Sequence, residues 1–146
     1  MKKRVLGGLA VAALAPAVIL AGAGTSFAAS STVTWKNKLS GKCLGYANGI
    51  PLAAFDCGSK PSKWTETKQS DGTYTLRTSY GYCLDSNKDG KVYLLHCNGG
   101  ANQKWNEFKD STGWRLQNNA TKLTLGQERD TLYTNFDGGL KAQRWS

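Results

Sequence analysis

Apolar and polar residues alternate in short bursts along this chain, and turn-forming residues end each burst before it reaches helical length. Alternation with a period of two turns one face of a strand toward a core and the other toward water. Residues 32–35, 42–46 and 52–57 read as strands, with Trp64 in a short fourth. Between them lie Ser40-Gly41, the hairpin pair Asn48-Gly49 and the loop Gly58-Ser59-Lys60-Pro61. A second set follows at 72–77, 82–84, 92–97 and 103–105, and a third runs from 113–117 to 143–145. Twelve short strands, with turn signals every ~8–12 residues, predict an all-β domain.

The bursts recur at a fixed step. Trp64, Trp105 and Trp145 are 41 and 40 residues apart, closing Ser62-Lys63-Trp64, Gln103-Lys104-Trp105 and Gln143-Arg144-Trp145. Cys43 to Cys83 and Cys57 to Cys97 are both 40, and the openers Trp35, Tyr74 and Trp114 are spaced 39 and 40. Independent markers that agree on one period identify an internal repeat. The copies span about residues 32–71, 72–111 and 112–146. Three equivalent units suit a closed threefold barrel, which leaves few sheet edges open, whereas an open stack would need capping units. The Trp that closes each copy is expected in the shared core.

Residues 1–28 stand outside the pattern. Lys2, Lys3 and Arg4 precede an apolar run over 5–23, and Ser26-Phe27-Ala28 offers small residues where a signal peptidase reads. These features predict a secretory signal peptide, cleaved after Ala28, and a secreted, extracellular domain. A membrane anchor is the competing reading. Gly7, Gly8, Pro16, Gly22 and Gly24 interrupt the run, which favours cleavage. Without the basic start the chain carries sixteen basic and ten acidic side chains, a net of +6. The charges are scattered, densest at Lys36, Lys38 and Lys42, so they give a positively biased surface, with neither nucleic acid nor membrane expected as a partner.

Cysteines of an exported chain pair. Of the three possible connectivities, equivalence of the copies selects Cys43–Cys57 and Cys83–Cys97, each 14 residues apart. In the third copy Leu123 and Phe136 stand at these places, 13 apart, and a hydrophobic contact is expected in place of a bridge.

The run Cys83-Leu84-Asp85, His96-Cys97-Asn98 and Asn102-Gln103-Lys104-Trp105 resembles the ricin-type β-trefoil lectin domain, including family 13 carbohydrate-binding modules. The resemblance covers about residues 32–146 and is taken as that of a secreted bacterial type. It implies an all-β β-trefoil that binds a glycan or polysaccharide without catalysis. In that family a pocket combines the Asp after Cys-Leu, an aromatic ring on the return strand and the Asn before Gln-x-Trp. The polar groups meet sugar hydroxyls and the ring stacks on the sugar's C–H face. Carried onto this chain, the second copy supplies Asp85, Asn102 and Gln103. Leu95 stands at the aromatic place, and Tyr93, two residues earlier on the same strand face, is the ring expected to serve. The first copy has Phe55 but Gly45 and Pro61-Ser62, and the third has Leu125, Thr134 and Ala142. Sugar binding is therefore expected through the second copy. The degenerate copies leave a rival reading, a secreted adaptor or inhibitor that docks a protein partner.

Other motifs weigh less. Asp85-Ser86-Asn87-Lys88-Asp89-Gly90 matches the first half of a calcium loop, but its twelfth position is His96 and its flanks read as strands. No metal or cofactor is expected. His96 is the only histidine, next to a bridging cysteine and without Gly-x-Ser-x-Gly, so no hydrolytic triad is expected. Glu66 and Glu107 follow the closing Trp by two residues, a strand position expected to be exposed. Asn119-Ala120-Thr121 is a glycosylation sequon by letter only.

Overall fold

The computed structural model describes residues 28–146. Apart from Ala28, the expected signal peptide lies outside the described residues. Among those described, no helix is long and apolar enough to cross a membrane.

Eleven strands follow one another in the described residues: β1 (Ser30–Val33), β2 (Cys43–Ala47), β3 (Ile50–Phe55), β4 (Trp64–Lys68), β5 (Tyr74–Arg77), β6 (Tyr82–Ser86), β7 (Val92–His96), β8 (Trp105–Asp110), β9 (Gly113–Asn118), β10 (Thr124–Glu128) and β11 (Thr131–Asn135). Their pairing gives the threefold plan. Hairpins β2–β3, β6–β7 and β10–β11 repeat once per copy, while β1–β4–β5 and β8–β9 build the barrel wall. The expected twelfth strand is reduced to Trp145, which pairs with both Asn37 and Trp114. Ser146 adds reciprocal backbone bonds with Lys36 at 2.8 and 2.9 Å. The first strand lies two residues earlier than the alternation suggests. Val33 pairs with Trp64, and Trp35 leaves the ladder to bury its ring.

The core explains the period. Trp64, Trp105 and Trp145 are fully buried. Each donates its indole Nε1–H to a leucine carbonyl in its own copy, Leu44, Leu84 and Leu125, at 3.1, 3.0 and 3.1 Å. A buried indole needs such an acceptor, and this one ties the closing Trp to its hairpin. Leu44, Leu76, Leu84, Leu116 and Leu125 fill the space between. In the first hairpin Asn48 and Gly49 form a two-residue loop with φ of 51° and 75°, the positive pair a tight right-twisted hairpin requires.

The cysteines join as Cys43–Cys57 and Cys83–Cys97. The third copy departs from expectation. Phe136 is 81% exposed and packs as no substitute for a bridge. The hydrogen-bond frame shows why: the Leu carbonyl that receives the Trp indole is Leu84 in one copy and Leu125 in the next, a step of 41. The turn in front carries one more residue in the third copy, since Thr78 N donates to Tyr82 O but Asn118 N to Leu123 O. Thr124, not Leu123, therefore corresponds to Cys83. On the return side, Gln103 Nε2 donates to His96 O and Gln143 Nε2 to Phe136 O, so Asp137 corresponds to Cys97. Asp137 is gripped by Arg144 at 2.9 and 3.3 Å and by Arg115 at 3.0 Å. Burial alone would raise its carboxyl, but Arg144, the Gly139 N–H and Arg115 hold it down to about 2. An ionic clamp stands where the other copies have sulfur.

Candidate functional site

Asp85 sits mid-strand in β6, directly opposite Tyr93 of β7, so the hairpin register sets a carboxylate beside a phenol. Asn102 arrives from the 3-10 turn Ala101–Gln103, held by an Nδ2–H bond to Ser86 O at 2.7 Å. Its Nδ2 is thereby anchored and its Oδ1 side left for other partners. These three side chains, with Leu95, Ala120 and Thr121, line one cavity of about 550 Å³. The far wall belongs to the third repeat and is latched in place. Asn118 Nδ2 donates to Asn102 O at 2.7 Å, and its Oδ1 accepts from Ala120 N and Thr121 N, both at 3.2 Å.

Asp85 is the unusual member. It is only 2% exposed, yet among the described residues no donor reaches its Oδ1. A buried polar oxygen without a partner costs about 1–3 kcal/mol, more when charged. A site that tolerates this is poised to receive hydrogen-bond donors from outside. Burial first, then the neighbouring Asp85 carboxylate, raise the Tyr93 phenol above its ordinary value.

Gln103 does not join the cavity. It is buried behind it, with Nε2 on His96 O at 3.0 Å and Oε1 taking Asn98 N at 2.9 Å. Gln143 repeats both bonds with Phe136 O and Gly138 N at 2.8 and 2.9 Å. Ser62 does a shorter version, its Oγ donating toward Cys57 O at 3.0 Å and Ser59 O at 2.8 Å. In this frame the Gln before the closing Trp is a loop clamp.

The corrected register changes the third copy and leaves Gly45 in its expected place in the first. Gly45 and Gly126 stand where Asp85 does, and not Leu125 in the third copy, which is core. A Cβ at Gly45 would run into the Phe55 ring and the Pro61 carbonyl, and one at Gly126 would lie 2.5 Å from Tyr133 Cζ. Tyr133 pairs with Gly126 as Tyr93 pairs with Asp85, so it, and not Thr134, is the aromatic of that copy. A β-bulge between Cys43 and Gly45 carries Phe55 onto the glycine from two positions further along. Glycine and ring thus close both places, an arrangement hidden from sequence by the longer turn and the bulge.

The calcium-like run is split by the fold. Asp85 and Ser86 belong to β6, while Asn87 Oδ1 accepts from Asp89 N and Lys91 N at 3.0 and 3.1 Å, closing a turn. Among the described residues no group of three or more His, Cys, Asp or Glu gathers to hold a metal ion. His96 lies exposed against the Tyr82 ring, centroids 4.5 Å apart. Glu66 and Glu107, expected to be exposed, are instead half-buried and face each other beside the Trp35 indole. Burial first, then Glu66, push Glu107 up to about 8; burial raises Glu66 as well.

A closed threefold barrel of hairpins with a polar cavity between repeats is the architecture of β-trefoil lectins. Residues 31–145 match the family model described as the ricin-type beta-trefoil lectin domain, and the chain belongs to that family. Among solved structures it is similar to ThreeFoil, a designed 3-fold symmetric protein, at 21% identity and a TM-score of 0.71 over 78% of this chain and 95% of that one. It is also similar to SeviL bound to asialo-GM1 saccharide, at 18% identity and 0.70 over 80% and 95%. A third likeness is an endo-β-galactosidase from Clostridium perfringens that releases GlcNAcα1-4Gal, at 17% identity and 0.70 over 79% of this chain. This chain spans only 31% of that enzyme. At these identities the likenesses speak for the fold.

Proposed function

We propose that the protein is a non-catalytic carbohydrate-binding protein that takes a glycan or polysaccharide in the cavity of its second repeat. One observation carries the reading: a buried carboxylate oxygen without a protein donor, at Asp85, in a cavity shared with Tyr93 and Asn102. Sugar hydroxyls are donors of the right kind for Asp85, Asn102 Oδ1 is an acceptor for another, and the Tyr93 ring offers an apolar face to the C–H side of a pyranose. Gln103 contributes by holding the loop that carries Asn102. Asp85 is the one acidic group lining the cavity, whereas glycoside hydrolysis ordinarily calls on two facing carboxylates. Export fits the same reading, with the leader removed after Ala28 and two disulfides formed in an oxidising compartment.

A glycan array with the wild type and Asp85→Ala tests it. The variant should lose severalfold or more in affinity, since hydrogen bonds to a charged group contribute about 1.5–3 kcal/mol. Wild-type binding by a folded Asp85→Ala protein, with a secreted protein partner still captured, would instead favour the adaptor reading.

A further inference from the structure

A larger groove lies elsewhere, between the first and second repeats, with a volume of about 920 Å³. Tyr46, Tyr80, Tyr82 and Leu94 give it an aromatic and apolar lining, and Lys60 and Lys63 line it too. No Asp or Glu does. Both lysines are exposed, and among the described residues neither is held in an ion pair. Pro61 stands where the second repeat has Asn102, so the amide that serves at Asp85 is missing here. What remains on offer is positive charge, hydroxyls and ring faces.

Tyr80 is the prominent ring, 78% exposed and yet built into a support. Its turn is closed by Gly81 N on Thr78 O and Tyr82 N on Thr78 Oγ1, both at 3.1 Å. The Tyr46 ring meets it edge-on at 6.1 Å and meets buried Trp64 the same way at 5.2 Å. The Tyr46 hydroxyl accepts from Ser79 N at 3.3 Å and bonds Ser79 Oγ at 3.1 Å, fixing the residue next to Tyr80. An exposed ring held this way loses little freedom when a ligand stacks on it, which is how pre-organisation raises affinity. The volume is within the range of small-ligand sites, about 300–1,000 Å³.

We propose that this groove is a second binding site, separate from Asp85, for a carboxylated oligosaccharide, a chain of uronate residues. A pyranose ring stacks on Tyr80, and its carboxylates meet the ammonium groups of Lys60 and Lys63. The absence of any lining carboxylate leaves nothing to repel such a chain, and the positive bias of the whole surface draws it in.

The test titrates tetragalacturonate, and its fully methyl-esterified form, into isotope-labelled protein while amide and indole NMR shifts are followed. The acid should move the signals of residues 79–82 and the Trp64 indole and leave those of Asp85 and Asn102 in place. The ester, equal in length but uncharged, should bind at least about fivefold more weakly, and added salt should weaken the acid. Tyr80→Ala should cost about fivefold or more, the size of a lost stacking contact; Tyr80 is too exposed to matter to folding, which circular dichroism checks. No response to the acid, equal affinity for the ester, shifts centred on Asp85, or unchanged affinity in Tyr80→Ala would each overturn the proposal. Because the shifts report by residue, a failure of this groove is distinguishable from a failure of the Asp85 cavity.

Discussion

Positions 45 and 85 are the same place in two copies of one hairpin, and the chain uses them in opposite ways. At 85 a carboxylate is buried with an oxygen left open, Tyr93 standing across from it and Asn102 at the cavity's edge. At 45 there is glycine, with the Phe55 ring and the Pro61 carbonyl so close that a Cβ would not fit. Beneath both, the frame is the same: Trp64 on Leu44 O and Trp105 on Leu84 O, within 0.1 Å of one another. The barrel by itself therefore does not make the pocket. A ring lying beside the strand leaves a cavity, and a ring lying upon it fills one.

The largest effect tests the shared frame. If the copies are equivalent there, Trp64→Ala and Trp105→Ala should each cost about 3–5 kcal/mol in urea titration, the range for deleting a buried aromatic side chain. A loss under about 1 kcal/mol in one copy alone would break the equivalence. Next comes the difference. Gly45→Asp should not create a second sugar site; it should destabilise by about 1–3 kcal/mol, the usual cost of overpacking. A variant as stable as wild type would show that Phe55 swings aside easily and that the closure is soft.

What sequence showed of this molecule follows from where each signal resides. Buried Trp, Leu and Cys positions repeat because the same backbone bonds recur in each copy, so the period, the all-β class and both disulfides could be read at a distance. Asp85, Tyr93 and Asn102 meet because a hairpin register and a Gln-x-Trp turn are local features. The third copy misled because one extra residue in the turn 118–123 puts β10 one position later, and the hairpin that follows is one residue shorter, which restores the step of 40 by Tyr133. That shift turned Gly126 into Leu125, whereas placing Phe136 at the second cysteine's position concealed Asp137 and turned Tyr133 into Thr134. The Glu66–Glu107 contact joins two repeats, and no periodicity within either predicts which carboxylates will face each other.

That pair supplies a pH test, since Glu66 and Glu107 hold equivalent places in the first and second copies. Glu107 is raised from 4.5 to about 8, so the folded state keeps a proton that the unfolded chain releases. Its stabilising contribution is complete below pH 4.5 and is lost as pH rises to about 8. Asp71, Asp110 and Asp137 are lowered, so their contributions fade only under acid, outside this window. Melting should therefore fall by a few degrees, about 3 °C, between pH 5 and pH 8.5. Glu107→Gln should flatten that slope and melt higher than wild type at the alkaline end. A slope unchanged in the variant would mean that the two carboxylates ionise freely.

The smallest effect is also the sharpest comparison with the first copy. Leu95 pairs with Cys83 as Phe55 pairs with Cys43, but it lines an open cavity and is nearly half exposed. In the first copy the ring at this place is carried by a bulge onto a glycine; in the second there is no bulge, and Asp85 holds the spot. A ring introduced at 95 has therefore no glycine to cover and should stay beside the cavity, next to Tyr93 on the same strand face. Leu95→Tyr should strengthen glycan binding by about 0.5–1.5 kcal/mol, the worth of one well-placed aromatic contact, with stability little changed because the side chain is largely at the surface. Calorimetric titration of whichever glycan the array selects measures the gain. If Leu95→Tyr instead abolishes binding while the protein stays folded, the ring has closed onto the cavity as Phe55 does, and the bulge is not what separates the two copies.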